Sequence, residues 1–189
     1  YSVLSFEVRT REVVSTLRRG NREIICHLPM QATGEADPGP GALTIAMTAE
    51  EIRRRTREAL ASVPGAVGVN NHMGSGFSSD ARLMRAVLEV LVEKELYFLD
   101  SRTSALTQGF RVARELGLPA AERHVFLDRE RQRGAIAAQL EELLRTASER
   151  GSAVGIGHPY PETLEILEEW VPQAVARGFR FVTVSELVK

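Results

Sequence analysis

Three of the four histidines and two of the aspartates stand at the ends of short apolar runs. The histidines are His27, His72 and His158, and the aspartates are Asp100 and Asp128. Imidazole nitrogens are common ligands of catalytic zinc, which lowers the pKa of a bound water to about 7 so that it can attack a carbonyl. A further histidine can protonate a leaving amine while an aspartate orients its ring. Because the chain contains neither HExxH nor CxxC, separate strands must assemble any such site.

The same residues also allow structural interpretations, which stay open from the sequence alone. Asp100 and Asp128 can each cap a helix that follows, and His158 can cap a helix that begins at Pro161. His124 begins its apolar run, so we expect it at the opposite end of the strand, in a structural role. The functional interpretation is favoured because several such residues are expected to converge on one edge of a sheet.

Strand-like and helix-like patterns alternate from one end of the chain to the other, and this indicates a parallel sheet with crossover helices. A Thr48-Ala-Glu-Glu51 capping box predicts a helix start, and Pro172 predicts a kink or restart in the last helix. The fold is either a doubly wound open sheet or a (β/α) barrel, and we predict an α/β barrel of about seven parallel strands. The predicted strands are 3–6, 23–28, 66–69, 96–99, 124–127, 153–156 and 179–184.

In such folds every strand delivers its carboxyl end to the same rim, where ligands bind. The polar residues after the strands are therefore predicted to meet at that rim. A long loop rich in glycine and proline, 31–47, leaves the His27 strand at this end, and we predict that it covers the rim. Asn70 and Asn71 lie at the rim as well, although two adjacent asparagines can also simply form a turn.

The composition of the chain excludes several classes of function. The chain has 189 residues and a net charge of -1, typical of one globular domain spanning 1–189. Without a basic excess, nucleic acid is not an expected partner. No apolar run reaches the roughly 20 residues of a membrane helix. The single cysteine, Cys26, cannot form an internal disulfide and is expected to be buried and apolar in character.

At these residues the sequence resembles the divergent polysaccharide deacetylase family along nearly its whole length. The two stretches around His72 and Asp100 are the most specific. The matching stretches are His27-Leu-Pro-Met30, Pro38-Gly-Pro40, Gly68-Val-Asn-Asn-His-Met-Gly-Ser75, Phe98-Leu-Asp-Ser-Arg-Thr103, Arg123-His-Val-Phe-Leu-Asp128, Ile156-Gly-His-Pro159, Pro161-Glu-Thr-Leu164 and Val184-Ser-Glu-Leu187.

The resemblance implies a (β/α) barrel related to the NodB-type deacetylases, which use a divalent metal, usually zinc, to remove acetyl groups from polysaccharides. It assigns His27 and His72 to the metal and His158 to the general acid. Asp100 and Arg102 are then expected to orient His158 or to bind substrate. The residues left for substrate binding are Asn70, Asn71, Ser75 and Asp128.

Two departures from the family pattern matter. Related proteins open with a strand ending in an Asp-Asp pair, which supplies a metal ligand and the base, whereas this chain starts after that position. A first strand is therefore predicted to be missing from the chain. In addition, His27 lacks the second histidine of the usual His-x-x-x-His spacing.

The sequence thus predicts a metal-dependent deacetylase that acts on an envelope carbohydrate, and the resemblance implies an exported, periplasmic or envelope protein. The chain itself carries no signal-peptide pattern. Two alternatives remain: a non-catalytic envelope protein that uses the barrel to bind glycan or protein, and a metal hydrolase for another small amide or ester. The polysaccharide, the metal and the oligomeric state are left open.

Overall fold

A computed structural model describes residues 1–188 of the chain. They divide into two compact units, one formed by Tyr1–Glu122 with Val188 and the other by Arg123–Leu187. The strands are β1 (Ser2–Leu4), β2 (Ile25–Met30), β3 (Gly68–Met73), β4 (Tyr97–Asp100), β5 (Ala120–Glu122), β6 (Val125–Phe126) and β7 (Gly155–Ile156). The helices are α1 (Thr10–Arg19), α2 (Ala49–Ser62), α3 (Ala81–Glu93), α4 (Gly109–Glu115), α5 (Arg133–Arg150) and α6 (Pro161–Ala176).

The first unit is built on a parallel sheet with the order β1-β2-β3-β4-β5. Its register pairs His27 with Asn70 and Pro29 with His72. Since residues two apart on a strand point to the same face, and paired residues share a face, this register places His27, Asn70 and His72 together. The opposite face packs against the helices through fully buried residues such as Cys26, Val69 and Phe98.

Side-chain caps fix two of the helices in this unit. The Thr48 hydroxyl accepts a hydrogen bond from the Glu51 amide at 3.2 Å, as the capping-box pattern predicts. Asp80 does the same for α3 through the Arg82 amide at 2.8 Å. The apolar stripe of α3, which includes Met84 and Leu88, is then fully buried against the sheet.

The second unit pairs β6 with β7 in parallel and packs them against α5 and α6. Its core contains Ile136 and Leu140 from α5 with Ile166 and Trp170 from α6. Helix α5 ends at Gly151, whose φ of 81° is the left-handed conformation that glycine tolerates. Helix α6 begins at Pro161 and continues through Pro172 to Ala176, so the helix does not restart at that proline.

The α/β alternation and the parallel strand direction are confirmed, but the strand set differs from the prediction. The strands form a sheet of five and a sheet of two, and residues 1–188 do not show the closure of a single barrel. Strand β5 was not predicted because its Ala-Ala-Glu sequence carries no strand preference and forms by pairing with β4. The strand predicted at 179–184 is absent from the described chain. Thr183 and Glu186 form a reciprocal capping box there, which favours a short 3₁₀ turn at Val184–Glu186.

Helices long and apolar enough to span a bilayer are not found among the described residues.

Candidate functional site

Two histidines meet where β2 pairs with β3 in the first unit, with His27 third and His72 fifth among the six residues of their strands. His27 Nε2 lies 3.0 Å from His72 Nδ1, and the ring centroids are 4.8 Å apart with an edge-on geometry. Both side chains are half-buried. We refer to His27 and His72 as the histidine pair. The sequence resemblance assigned both residues as metal ligands, and the structure brings their rings into contact.

Asn70 sits directly behind the histidine pair and is 2% exposed. Its Oδ1 lies 3.0 Å from His27 Nδ1 and accepts a second hydrogen bond from the Ser2 hydroxyl at 2.6 Å. Its Nδ2 donates to the Ser101 hydroxyl at 3.1 Å. Because a carbonyl oxygen can only accept, His27 carries its proton on Nδ1 and directs the lone pair of Nε2 toward His72. Asn70 therefore orients the pair, and its role in substrate binding stays a prediction.

Asn71 is also buried, at 1% exposure, and joins β3 to the loop after β4. Its Oδ1 accepts from the Ser101 amide at 2.9 Å, and its Nδ2 donates to the Met73 carbonyl at 2.8 Å. Thr103 donates to the same carbonyl. Met73 has a φ of 51°, a left-handed conformation that is costly for a side chain with a Cβ. The Asn71 bonds hold this turn in place, which again makes the residue a positioning group.

The Asp100 side chain forms hydrogen bonds with residues that follow β4 in the chain. Its carboxylate accepts hydrogen bonds from the Thr107 hydroxyl and from the Phe110 and Arg102 amides, all at 2.9 Å. A Cβ at Gly109 would approach Asp100 Oδ2 to 2.8 Å, so glycine is needed there for this bonding. The side chain is fully buried. This is the capping interpretation of Asp100, and these hydrogen bonds lie within the first unit.

Arg102 and Ser75 also contact protein groups of the first unit. Arg102 pairs with Glu122 at the end of β5, at 2.5 Å. Ser75 accepts a hydrogen bond from the Thr33 amide at 2.9 Å and so ties the 31–47 loop to the residues after β3. The same loop returns to β2 through a bridge between Leu43 and Met30. The loop thus lies at the carboxyl ends of β2 and β3, as expected.

The second cluster lies in the other unit, where the loop after β7 meets the end of β6. His158 Nδ1 is 2.9 Å from Asp128 Oδ1, and the His158 amide donates to Asp128 Oδ2 at 2.5 Å. The Thr163 hydroxyl donates to the same Oδ2 at 3.0 Å. The Asp128 side chain is fully buried, whereas the His158 side chain is 41% exposed. We refer to His158 and Asp128 as the dyad.

The dyad corrects two predictions. Asp128 was expected to contact substrate, but its buried carboxylate lies beneath His158 and fixes that ring with Nδ1 protonated and Nε2 directed away. The partner of His158 is therefore Asp128 instead of Asp100. Thr163 was missed, although its position in the first turn of α6, after Pro161, is one from which a hydroxyl can reach a neighbouring loop. The expectation that the dyad joins the histidine pair on one rim stays a prediction.

Residues 1–188 contain no group of three His, Cys, Asp or Glu side chains placed to hold one metal ion. The histidine pair therefore offers two imidazole ligands within the described chain. The single thiol is buried, and desolvation raises the pKa of Cys26 to about 12.

The parallel strands and their histidines define an α/β protein with polar clusters at strand carboxyl ends, a common arrangement in hydrolases. The chain belongs to the divergent polysaccharide deacetylase family, whose sequence model matches residues 1–188.

Relatives of the chain have no stated activity. An uncharacterized protein of Haemophilus influenzae is 37% identical over 147 residues, which cover 78% of this chain and 52% of that protein. The uncharacterized protein YibQ of Escherichia coli is 36% identical over 170 residues, covering 90% of this chain and 53% of YibQ. The chain thus spans about half the length of these two relatives.

A solved structure has the same fold. The crystal structure of the uncharacterized protein ATU2773 from Agrobacterium tumefaciens matches with a TM-score of 0.94 and 26% identity, over 99% of this chain and 77% of that one. The α/β architecture is therefore shared with an experimentally observed protein. Family membership points to a carbohydrate-related role.

Proposed function

We propose that the protein is a metal-dependent deacetylase that removes acetyl groups from an envelope polysaccharide. The observation that carries the proposal is the histidine pair, with ring nitrogens 3.0 Å apart and an orienting amide behind one ring. Metal-binding histidines commonly donate their second ring nitrogen to such an oxygen. The family description supports the carbohydrate class, and the envelope location is part of the proposal.

The donor set fits part of a divalent metal site. Two nitrogens that each lie 2.0–2.1 Å from one tetrahedral zinc are separated by about 3.3 Å, close to the spacing of the pair. Without an ion, the same spacing suits an N–H···N hydrogen bond from His72 to His27. A catalytic zinc usually has three protein ligands, and the pair supplies two of them. When bound, the ion would activate a water and polarise the acetyl carbonyl.

His158 is the proposed general acid. Its Nε2 is directed away from Asp128, so a proton held there can pass to the departing amine or alkoxide as the acyl bond breaks. Asp128 holds the Nδ1 proton and keeps the ring in one orientation, in the way that a buried aspartate orients a catalytic imidazole. Thr163 and the His158 amide keep the carboxylate itself from rotating.

The second candidate is a non-catalytic envelope protein that binds glycan or protein through the same fold. It is favoured by one observation, the lack of a three-residue metal group within residues 1–188. The two candidates differ in whether zinc is retained and whether acetate is released.

The test measures zinc content by mass spectrometry in the full-length protein after dialysis. We expect one equivalent of zinc in the wild type and less than a tenth of that in His72→Ala. His158→Ala is the matched control, which should keep its zinc but lose acetate release from acetylated oligosaccharides. Unchanged zinc in His72→Ala would remove it from the metal site. A wild-type protein with neither zinc nor acetate release would support the non-catalytic candidate.

A further inference from the structure

One arginine lies on the aromatic side of the dyad. The Arg131 guanidinium carbon is 3.6 Å from the centre of the Tyr160 ring, and the Tyr160 ring centre is 5.1 Å from that of His158 at an angle of 34°. Phe126 contacts the His158 ring edge-on, with centroids 5.6 Å apart. All of these residues belong to the second unit.

Within the described residues 1–188, Arg131 stacks on an aromatic ring and forms no ion pair with an acidic side chain. Three other arginines of the second unit pair with glutamates: Arg133 with Glu169, Arg145 with Glu142, and Arg177 with Glu141. Arg131 is held instead by the face of an aromatic ring. A stacked guanidinium uses its face for the ring, and its five N–H donors stay in the plane, open to an oxygen ligand.

The surroundings of Arg131 also suit an anion. Tyr160 is the residue before the first turn of α6, and the amino terminus of a helix of 16 residues carries a partial positive charge. The acidic groups of this region are Glu130, next in the chain, Glu162 in the first turn of α6, and Asp128, whose buried carboxylate is bonded to His158 and Thr163. The two glutamates are exposed, and none of the three carboxylates forms an ion pair with Arg131 in the described chain.

Stacking on Tyr160 reduces the entropy that an arginine loses when it binds a ligand, because the side chain is already held in one place. A planar guanidinium matches two carboxylate or phosphate oxygens at once, which a lysine cannot do. The sugar ring bearing the acetyl group would lie at His158, so an acidic substituent on that ring or the next could reach Arg131.

We propose that Arg131, supported by Tyr160, is an anion-binding subsite next to His158, and that the glycan is acidic, with a carboxylate or phosphate near the acetylated position. The inference rests on the proposed function for the role of His158, but the subsite itself requires only that a glycan binds. Tyr160 is a positioning residue, and Arg131 determines specificity.

The test compares sugars that differ in one acidic group. Binding of N-acetylglucosamine, N-acetylmuramic acid and N-acetylglucosamine 6-phosphate to the full-length protein is followed by NMR shifts of the backbone amides around His158. We expect the wild type to bind one or both acidic sugars about 10–100-fold more tightly than the neutral one, as charge-assisted bidentate bonds predict. The preference should decline as salt is added.

Substitutions then assign the preference to Arg131. In Arg131→Gln, the affinities for the acidic and neutral sugars should differ by no more than about twofold. Arg131→Lys should keep part of the preference for acidic sugars, and Arg129→Gln, at an exposed neighbouring position, should keep all of it. Equal binding of all three sugars by the wild type, or an undiminished preference in Arg131→Gln with unchanged amide spectra elsewhere, would overturn the proposal. Because the readout is binding, an acid preference without acetate release would contradict the deacetylase and leave the subsite standing.

Discussion

The histidine pair and the dyad use the same side chain in two different environments. In the pair, His27 faces a neutral amide oxygen on one side and another imidazole on the other. In the dyad, His158 faces a buried carboxylate. An amide acceptor fixes a tautomer without adding charge, which leaves a neutral ring with a lone pair to donate to a metal. A carboxylate acceptor can in addition compensate a positive charge on the ring, which suits a residue that takes up and releases protons.

The comparison predicts that the partners of the two histidine sites are not interchangeable. A change at Asp128 should affect proton transfer, and a change at Asn70 should affect metal affinity. The histidine pair belongs to the first unit and the dyad to the second, and each unit has its own buried apolar cluster.

The largest expected effect is that of Asp128→Asn. The amide is nearly isosteric, but it can direct an N–H at His158 Nδ1 and so favour the wrong tautomer. We expect acetate release by the zinc-loaded protein to fall about 10²–10⁴-fold, which is the usual contribution of a general acid. Zinc content, measured on the same sample, should be unchanged.

Two further readouts complete this experiment. Thr163→Val removes a donor to the same carboxylate but leaves the His158 contact, so its effect on turnover should be smaller than that of Asp128→Asn. If Asp128→Asn instead keeps wild-type turnover while its melting temperature drops, the dyad is a structural cap and His158 is not the acid.

Sequence reasoning expected the histidines after the strands, but His27 and His72 lie within β2 and β3, which continue beyond the predicted apolar runs. It chose Asp100 as the partner of His158 and assigned Asp128 to substrate, although both follow strands and both can cap helices. That choice depends on pairing: the β6–β7 register places Phe126 beside Ile156, and so brings Asp128 to the loop that carries His158. Register between distant strands is a tertiary property that residue spacing does not encode.

The sequence also did not predict that the strands form two separate sheets. Alternation predicts parallel strands but not which of them pair, and β5 and β6 are separated by only two residues, Arg123 and His124. His124 was predicted to lie away from the functional rim, and its Nδ1 accepts a hydrogen bond from the Val154 amide before β7, a structural contact.

The second prediction compares the cores of the two units through the Cys26 thiol. With a pKa of about 12, raised from an ordinary 9.0 by burial, Cys26 should react with a thiol reagent only after the first unit opens. Its labelling should therefore increase with pH as an ordinary thiol titrates, near 9, rather than near 12. Because the folded pKa is raised, this group's contribution to stability is fully present below about 9 and is lost as pH rises toward 12.

Substitutions in the two cores show whether Cys26 labelling depends on the stability of the first unit alone. Leu88→Ala, in the first core, should cost about 2–5 kcal/mol and speed labelling by roughly 30-fold to several thousand-fold if opening is in rapid equilibrium. The matched change in the second core, Leu140→Ala, should accelerate Cys26 labelling much less. Equal acceleration by both substitutions would show that the two units open together, and labelling that rises only toward pH 12 would show that the native thiol reacts directly.

The smallest expected effect concerns Asn70 and the tautomer of His27. Asn70→Leu removes the acceptor of the Nδ1 proton and should weaken zinc binding about 10–100-fold, the usual effect of losing such a supporting group. Asn70→Asp keeps an acceptor at the same position, so its zinc affinity should be equal to or above that of the wild type. Long-range ¹H–¹⁵N spectra of the metal-free protein should show His27 protonated at Nδ1 in the wild type and in Asn70→Asp. If Asn70→Asp is as damaging as Asn70→Leu, the amide must face His27 through its N–H₂ group, which would give His27 the opposite tautomer and remove the lone pair of Nε2 from the proposed metal.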